Sequence, residues 1–469
     1  MSQPLQNLKD LIVVGHGAAG LAAALAAAET AHARGAPVKI TLIDKAGESE
    51  AGGNTRWSPS YMRMASPTHM EPTFVNDMKE ATRGQCDEAY FTRLAADAPA
   101  TVKWIAQHDI EFIQPTYYLA KGPPRIQPSG GGPALIKQLT HAARRAGVAF
   151  RYGCTAGELV TDNNRICGLT AAQDNVRELL PADAVVLACG GFQGNHEMMR
   201  SHFGPRSSTM QLISPGSHFN SGDGIRIAAQ LGADLSGDWN GMHAEPVDAR
   251  SKNSAPVVLV YPFGIVVDKN GHRFFDEGGG LVHETWEWFA REIHFNMPGS
   301  IAYAILDARL FEIADYQRAI RSEVAPVRAD TLDELAEMIG INSMNLAETV
   351  ARFNVACKGD AREFDPTRRD GLAAAQTLQP PKSNWARAIS EPPFLAYPLV
   401  GAIAYTFGGV ATDSRARVMR NGAPIPGLFA AGEVTGHFYA TAPNAVSVLR
   451  ALVFGRIAGC EAIDHLGSG

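Results

Sequence analysis

Cysteine is sparse and unpaired in this chain. Six are scattered through 469 residues, at Cys86, Cys154, Cys167, Cys189, Cys357 and Cys460, with no C-x-x-C pair and no Cys/His grouping at zinc spacing. That pattern argues against structural zinc and iron–sulfur clusters, and a disulfide framework is not expected of a large protein in a reducing compartment. Long apolar runs are also missing. No stretch reaches the roughly 18 residues that a membrane helix needs, and the opening MSQPLQNLKD lacks the basic start and apolar core of a signal peptide. A cytoplasmic protein without a membrane span is therefore expected. Clustered positive charge is absent too. With a net charge of −6 and no run of Lys or Arg, the chain offers nucleic acid and anionic membranes little to hold, so the expected partner is a small molecule. Internal repeats and low-complexity tracts are lacking as well.

What is present is α/β texture. The length implies two domains, and 46 Gly with 45% hydrophobic residues suits a loop-rich α/β enzyme. Leu11–Val14 reads as a buried strand, the alanine-rich stretch after it as a helix stopped by Gly35, and Lys39–Asp44 as a second strand. A right-handed crossover makes those strands parallel neighbours. Between strand and helix stands Gly15-His16-Gly17-Ala18-Ala19-Gly20, a G-x-G-x-x-G, with Asp44 24 residues further on at the end of the next strand. Gly15 permits the tight turn, Gly17 lets backbone approach a pyrophosphate, and Gly20 allows close helix–strand packing. The helix N-terminus favours the phosphate charge, and Asp44 is placed to accept hydrogen bonds from ribose.

A second α/β unit runs from a glycine loop at 129–132 through a helix with Pro133 in its first turn, ending near Ala146–Gly147, and into a strand. Ala184–Ala188 is another buried strand, "IPGLFAAGEVTG" repeats the strand-then-glycine form, and Asn444–His465 reads as a long final helix. From Gly241 to Pro392 the texture shifts to aromatics, charges and helical periodicity. The expected division is thus a first domain over residues 1–240 and 393–469, interrupted by a second domain over 241–392.

Four stretches resemble the flavoprotein family of fumarate reductase and succinate dehydrogenase, and most closely its tricarballylate-dehydrogenase-like branch: Gly52-Gly53-Asn54-Thr55; "VVLACGGF" (185–192); "YPFGIVVDKNGHRFFDEG" (261–278); and "GLFAAGEVTGHFY" (427–439) with "VFGRIAG" (453–459). The resemblance implies a Rossmann-like, glutathione-reductase-like FAD-binding domain with an inserted α+β capping domain. It implies FAD held by Gly15, Gly17, Ala18, Ala19, Gly20, Asp44, Lys45, Gly52, Gly53, Asn54, Thr55, Ala188, Cys189, Gly190, Gly409, Gly432, Glu433, Asn444, Ala445, Ser447 and Val448. Glu433 would lie near the ribityl chain, and the last helix would aim its N-terminus at the flavin. Covalently flavinylated relatives carry a histidine soon after the Gly-Gly loop. Here Asn54–Ser60 reads NTRWSPS, so dissociable FAD is expected.

In that family, hydride moves between the flavin and a carbon β to a carboxylate or carbonyl, while a protein group exchanges a proton at the α carbon. This chain departs from the pattern at three anion-handling positions. The arginine expected after Phe275-Asp276-Glu277 is missing, the first basic-capable residue being His283. The family's His-Thr-x-Gly-Gly appears as Tyr405-Thr406-Phe407-Gly408-Gly409. The arginine expected before the last helix is replaced by ATAPNAVSVLR. The catalytic candidates that remain are His283, Tyr405, Tyr439, Arg450 and His243, with Tyr261 and Glu284 nearby. Arg56, Arg63 and the pair Tyr117-Tyr118 are further candidates for lining a pocket or meeting an anion. The expected activity is desaturation, or in reverse saturation, of a C–C bond next to a carboxylate or ketone. A ketosteroid-dehydrogenase-like enzyme and a non-catalytic flavin-binding electron-transfer protein are the alternatives. Electrons would leave to oxygen, a quinone or a redox protein.

Overall fold

The computed structural model describes residues 8–467; residues 1–7 of the amino-terminal stretch read above lie outside them. The strand Lys9–Val14 pairs in parallel with Val38–Asp44 on one side and Ala184–Leu187 on the other. Ala149–Tyr152 extends the sheet beyond the second strand, and Ala423–Ala430 followed by Arg417–Arg420 extends it at the opposite edge. This is the βαβ unit expected of the opening sequence. Its helix, Ala18–Arg34, ends at Gly35 in a left-handed conformation (φ 62°) whose N–H caps the Ala31 and His32 carbonyls.

The alanines have a packing reason. The last helix, Ser447–Gly467, crosses this one so closely that a Cβ on Gly455 would stand 2.3 Å from the Ala19 carbonyl oxygen, and one on Gly459 2.2 Å from that of Ala23. Only small residues on both helices allow backbones that near. The last helix starts three residues later than the sequence suggests, because Ala445 takes a left-handed turn (φ 60°) and the first helical acceptor is Val446, bonded by the Arg450 N–H.

A second sheet is built around the long strand Phe394–Thr406, whose near-continuous apolar sequence FLAYPLVGAIAYT suits a strand covered on both faces. It pairs antiparallel with Met242–Asp248, Ala302–Leu306 and Val327–Ala329, and in parallel with Gln211–Leu212. Ile265–Asp268 lies beyond Ala302–Leu306. The sheet also takes in strands on either side of residues 241–392, Gln211–Leu212 and Phe394–Thr406. Composition marks where texture changes; strand pairing decides where a domain closes.

Around this sheet sits a buried charge cluster. The fully buried Lys382 ammonium donates to the carbonyls of Pro262 (2.7 Å) and Gly264 (2.8 Å) and stands 3.7 Å from Glu277, which in turn accepts from Arg273 (2.6 Å). Burial lowers the Lys382 pKa to about 8 against the pull of Glu277. Lys382→Met removes the ammonium but leaves two buried carbonyls without a donor. It is expected to cost about 2–6 kcal/mol, since each of the two orphaned buried acceptors costs about 1–3. Urea unfolding checks this, and a change under 1 kcal/mol contradicts it.

Candidate functional site

One cavity runs from the first glycine turn, under the last helix, to the inner face of the second sheet. At its first end Gly15 (φ 110°) makes the turn, and a Cβ there would stand 2.4 Å from the Ala188 carbonyl oxygen. Gly20 is needed for packing, as its Cβ would stand 1.8 Å from the Gly15 oxygen. Gly17 differs. It caps the helix in extended conformation, and the nearest atoms to an added Cβ, Gly52 O and Thr55 Oγ1, are both 3.9 Å away. The space before the helix N-terminus is therefore open cavity, which suits a diphosphate set against the backbone N–H groups of the first turn.

The rest of this end is assembled from distant segments. Both Asp44 oxygens accept backbone N–H groups, from His16 (2.7 Å) and Ala46 (2.8 Å), and each keeps a second lone pair for a ribose hydroxyl. Lys45 is tied to Asp223 (2.8 Å) and Ser221. Thr55 accepts from the Ala18 N–H (3.3 Å). Asn54 donates to the Ala404 carbonyl (2.8 Å) and accepts from Ser214 (3.0 Å) and Ser217 (2.8 Å), so it braces its loop against the long strand. Ala18, Ala19, Gly53, Ala188, Cys189, Gly190, Gly432, Glu433, Asn444, Ala445, Ser447 and Val448 line the same cavity.

Glu433 accepts from the Thr406 N–H (3.1 Å) and the Asn220 amide (3.2 Å), and burial raises its pKa to about 7. An acid whose folded pKa lies above its ordinary 4.5 loses stability as pH rises from 4.5 to 7 and is level beyond. Glu433→Gln is expected to flatten the apoprotein's Tm-versus-pH curve across that window; an unchanged slope would overturn the assignment.

At the other end the walls become aromatic and charged. His243 and Tyr405 are cross-strand partners with ring centroids 5.0 Å apart, and a bulge follows His243. His243 Nδ1 meets Glu287 Oε2 at 2.8 Å and Nε2 meets Glu245 Oε1 at 3.1 Å. Burial opposes the charged ring, but the two carboxylates outweigh it and raise its pKa to about 9. Burial likewise raises the Tyr405 hydroxyl above its usual range.

His283 has the opposite environment. It sits in the first turn of Val282–Asn296, edge-on to Tyr117 (5.4 Å), with its buried Nδ1 free of any hydrogen-bond partner. Burial lowers its pKa, and the positive end of the helix dipole acts in the same direction.

Several expected residues lie elsewhere. Gly20, Gly52, Gly409 and Tyr439 do not line the cavity. Tyr439 accepts from the Gly237 N–H (3.0 Å), and a Cβ on Gly409 would meet the Val434 oxygen at 2.4 Å; both serve a packing corner. Gly52 bends its loop at φ 128°. Tyr261 packs on Phe289 (4.3 Å) and bonds Thr285 (3.0 Å), while Glu284 pairs with Arg369 (2.5 Å) and with the Leu281 N–H (2.7 Å). Arg450 is in the wall, 1% exposed, lying over Phe438 (3.9 Å) and donating to the Thr435 carbonyl (3.3 Å). Arg56 donates to the Ala51 carbonyl (3.0 Å), and Arg63 pairs with Asp77 (2.5 Å).

Sequence reading missed Tyr61, Arg125, Glu245, Trp286 and Arg321, all in the wall. They come from five separate segments, and no local spacing connects them. Glu245, two residues from His243 on one strand, Trp286, one turn after His283 on one helix, and Tyr61, two residues before Arg63, stood beside candidates; Arg125 and Arg321 did not.

Residues 10–446 match the family described as FAD binding domain. The probable fumarate reductase Ifc3 of Shewanella frigidimarina is 28% identical, over 97% of this chain and 75% of its own. The 4-oxocyclohexanecarboxylate 2-dehydrogenase of Sinomonas cyclohexanicum is 30% identical, over 70% of this chain and 60% of its own. The open conformation of a flavocytochrome c3 fumarate reductase superposes with a TM-score of 0.78 at 27% identity, covering 98% of this chain and 79% of that one. The open cradle before Gly17, the buried Glu433 and the small residues before the last helix fit FAD along the cavity. By fold, cradle and relatives the chain belongs to the FAD-binding flavoprotein family of fumarate reductases and succinate dehydrogenases, and it is an FAD-dependent oxidoreductase acting on carbon–carbon bonds.

Proposed function

We propose that the protein desaturates, or in reverse saturates, the bond α,β to a carboxylate or ketone of a small organic molecule, with dissociable FAD. The observation that carries this reading is the pair of cavity histidines in opposite settings, His243 clamped between Glu287 and Glu245 and His283 with its Nδ1 unpartnered, which drive their pKa values upward and downward. Separated titrations of this kind mark acid/base assignments. FAD, held along the Gly17 cradle, Asp44 and Glu433, would supply the acceptor for a hydride, two electrons and one hydrogen, from the β carbon.

The chain's own groups handle the second hydrogen. Neutral His283 accepts the α proton, which leaves as H⁺ while the C–H electron pair becomes the new C=C bond. The Tyr405 hydroxyl donates a hydrogen bond to the activating carbonyl oxygen, and His243 beside it, held charged at neutral pH by Glu245 and Glu287, stabilises the enolate charge that develops there. Glu245 and Glu287 position His243 rather than touch substrate. The absence of a histidine in Asn54–Ser60 supports dissociable FAD, tested by acid precipitation releasing all the yellow colour.

Tricarballylate-like acids are the first substrates to test. Tyr61, Tyr118, Trp286 and Tyr405 in the wall favour a second reading, desaturation of a cyclic ketone in the manner of ketosteroid dehydrogenases. Anaerobic titration of the FAD-loaded enzyme with tricarballylate, succinate and cyclic ketones separates them by which compound bleaches the flavin band. A flavin that dithionite reduces and none of these compounds does would leave the electron-carrier reading in its place.

A further inference from the structure

Arg125 stands in the cavity wall with nothing to donate to. It is 4% exposed, its Nε and Nη2 are buried without an acceptor, and Tyr61 and Tyr117 stand 3.8 and 3.9 Å from its guanidinium carbon. Rings at that distance cover the faces of the plane and leave its N–H edges, the part of arginine that meets a carboxylate in two parallel hydrogen bonds. Arg321 comes from the opposite domain to the same place. It donates to the Tyr61 hydroxyl (2.9 Å) and lies 5.8 Å from the Tyr61 and Tyr118 rings, while Arg125 lies 5.0 Å from Tyr118.

The local charges do not balance. Arg125, Arg321 and the charged His243 face Glu245 and Glu287, which are held within hydrogen-bond reach of His243. Arg63 is neutralised by Asp77, and Arg450 lies on the cofactor side with Glu433. One positive charge is left over in the cavity wall, a state that a bound anion relieves.

We propose that Arg125 and Arg321 form a carboxylate subsite, so that the substrate is an organic acid and not a neutral ketone. This rests on the oxidoreductase reading only for the word substrate; the subsite itself stands on the orphaned guanidinium. It also replaces, from unrelated positions, the arginines missing after Glu277 and before the last helix.

The test uses FAD-loaded enzyme and three acids, cyclohexanecarboxylate, succinate and tricarballylate, each against its uncharged amide. Binding is read from the oxidised-flavin absorbance and from the rise in Tm. At least one acid is expected to bind about tenfold or more tighter than its amide, and Arg125→Gln to weaken that acid by about tenfold or more while leaving the amide within about twofold. Arg321→Gln and Arg125→Lys give the same ordering with smaller losses and serve if Arg125→Gln does not fold. The proposal is overturned if no acid outbinds its amide, or if the variants bind the acids as the parent does. Acids that bind through Arg125 yet never bleach the flavin would defeat the proposed reaction and leave the subsite standing. A neutral ketone that bleaches it equally fast in parent and Arg125→Gln would do the reverse.

Discussion

Gly17→Val is expected to yield a folded, colourless protein whose affinity for FAD falls by at least about a hundredfold. The side chain meets no protein atom closer than 3.9 Å at its Cβ, and Gly17 is already in extended conformation, so the fold has no reason to object. What it fills is the space where the diphosphate meets the helix N-terminus. Loss of those short charge-assisted contacts by about 3 Å of displacement removes several hydrogen bonds at about 1.5–3 kcal/mol each. Gly20→Val provides the contrast. Its Cβ would stand 1.8 Å from the Gly15 oxygen, so the expected outcome is insoluble or unfolded protein, by circular dichroism, rather than a clean loss of flavin. If Gly17→Val retains stoichiometric FAD after gel filtration, the cradle has been misplaced.

The second large effect concerns His283. His283→Asn is expected to lower the rate of anaerobic flavin reduction by about 10²–10⁴-fold, the usual worth of a positioned base, with FAD content unchanged. In the parent enzyme the same rate should rise with pH through a value below 6.5, because burial lowers the His283 pKa and only the neutral ring accepts a proton. Above that value the rate should be level until His243 loses its charge near pH 9. A variant within threefold of the parent, or one that keeps the low-pH limb, would remove His283 from the reaction. The same His243 shift bears on stability. A base whose folded pKa is raised stabilises fully below its ordinary 6.5, and that contribution is lost as pH rises to about 9.

The opening segment was legible because local rules and global packing agree there. Strand, glycine turn, alanine-rich helix and Asp44 lie within one βαβ unit, and the glycine spacing reports backbone approach directly. The domain edges were less legible. Phe394–Thr406 is apolar almost throughout, and nothing in its composition says which sheet it joins. The reactive end of the cavity was read in part. His243, His283 and Tyr405 were reachable, whereas Arg125 and Arg321 sit 196 positions apart in sequence and meet only through Tyr61 and Tyr118. The missing family arginines therefore suggested a site poor in positive charge, and the fold supplies that charge by another route.

The long strand at the centre of the second sheet has a mechanical consequence. Its carboxyl end is fastened to the first domain at three places: the Ala404 carbonyl takes hydrogen bonds from Asn54 (2.8 Å) and Gln193 (3.2 Å), and the Thr406 N–H donates to Glu433 (3.1 Å). Across the cavity the contacts include the Arg321–Tyr61 bond (2.9 Å), that of Ser254 to the Trp57 carbonyl (3.3 Å) and that of the Ala442 N–H to Glu287 (3.3 Å). The strand end that carries Tyr405, paired across to His243, is thus fixed to the glycine-loop side of the cavity by more bonds than the segment that carries Arg321.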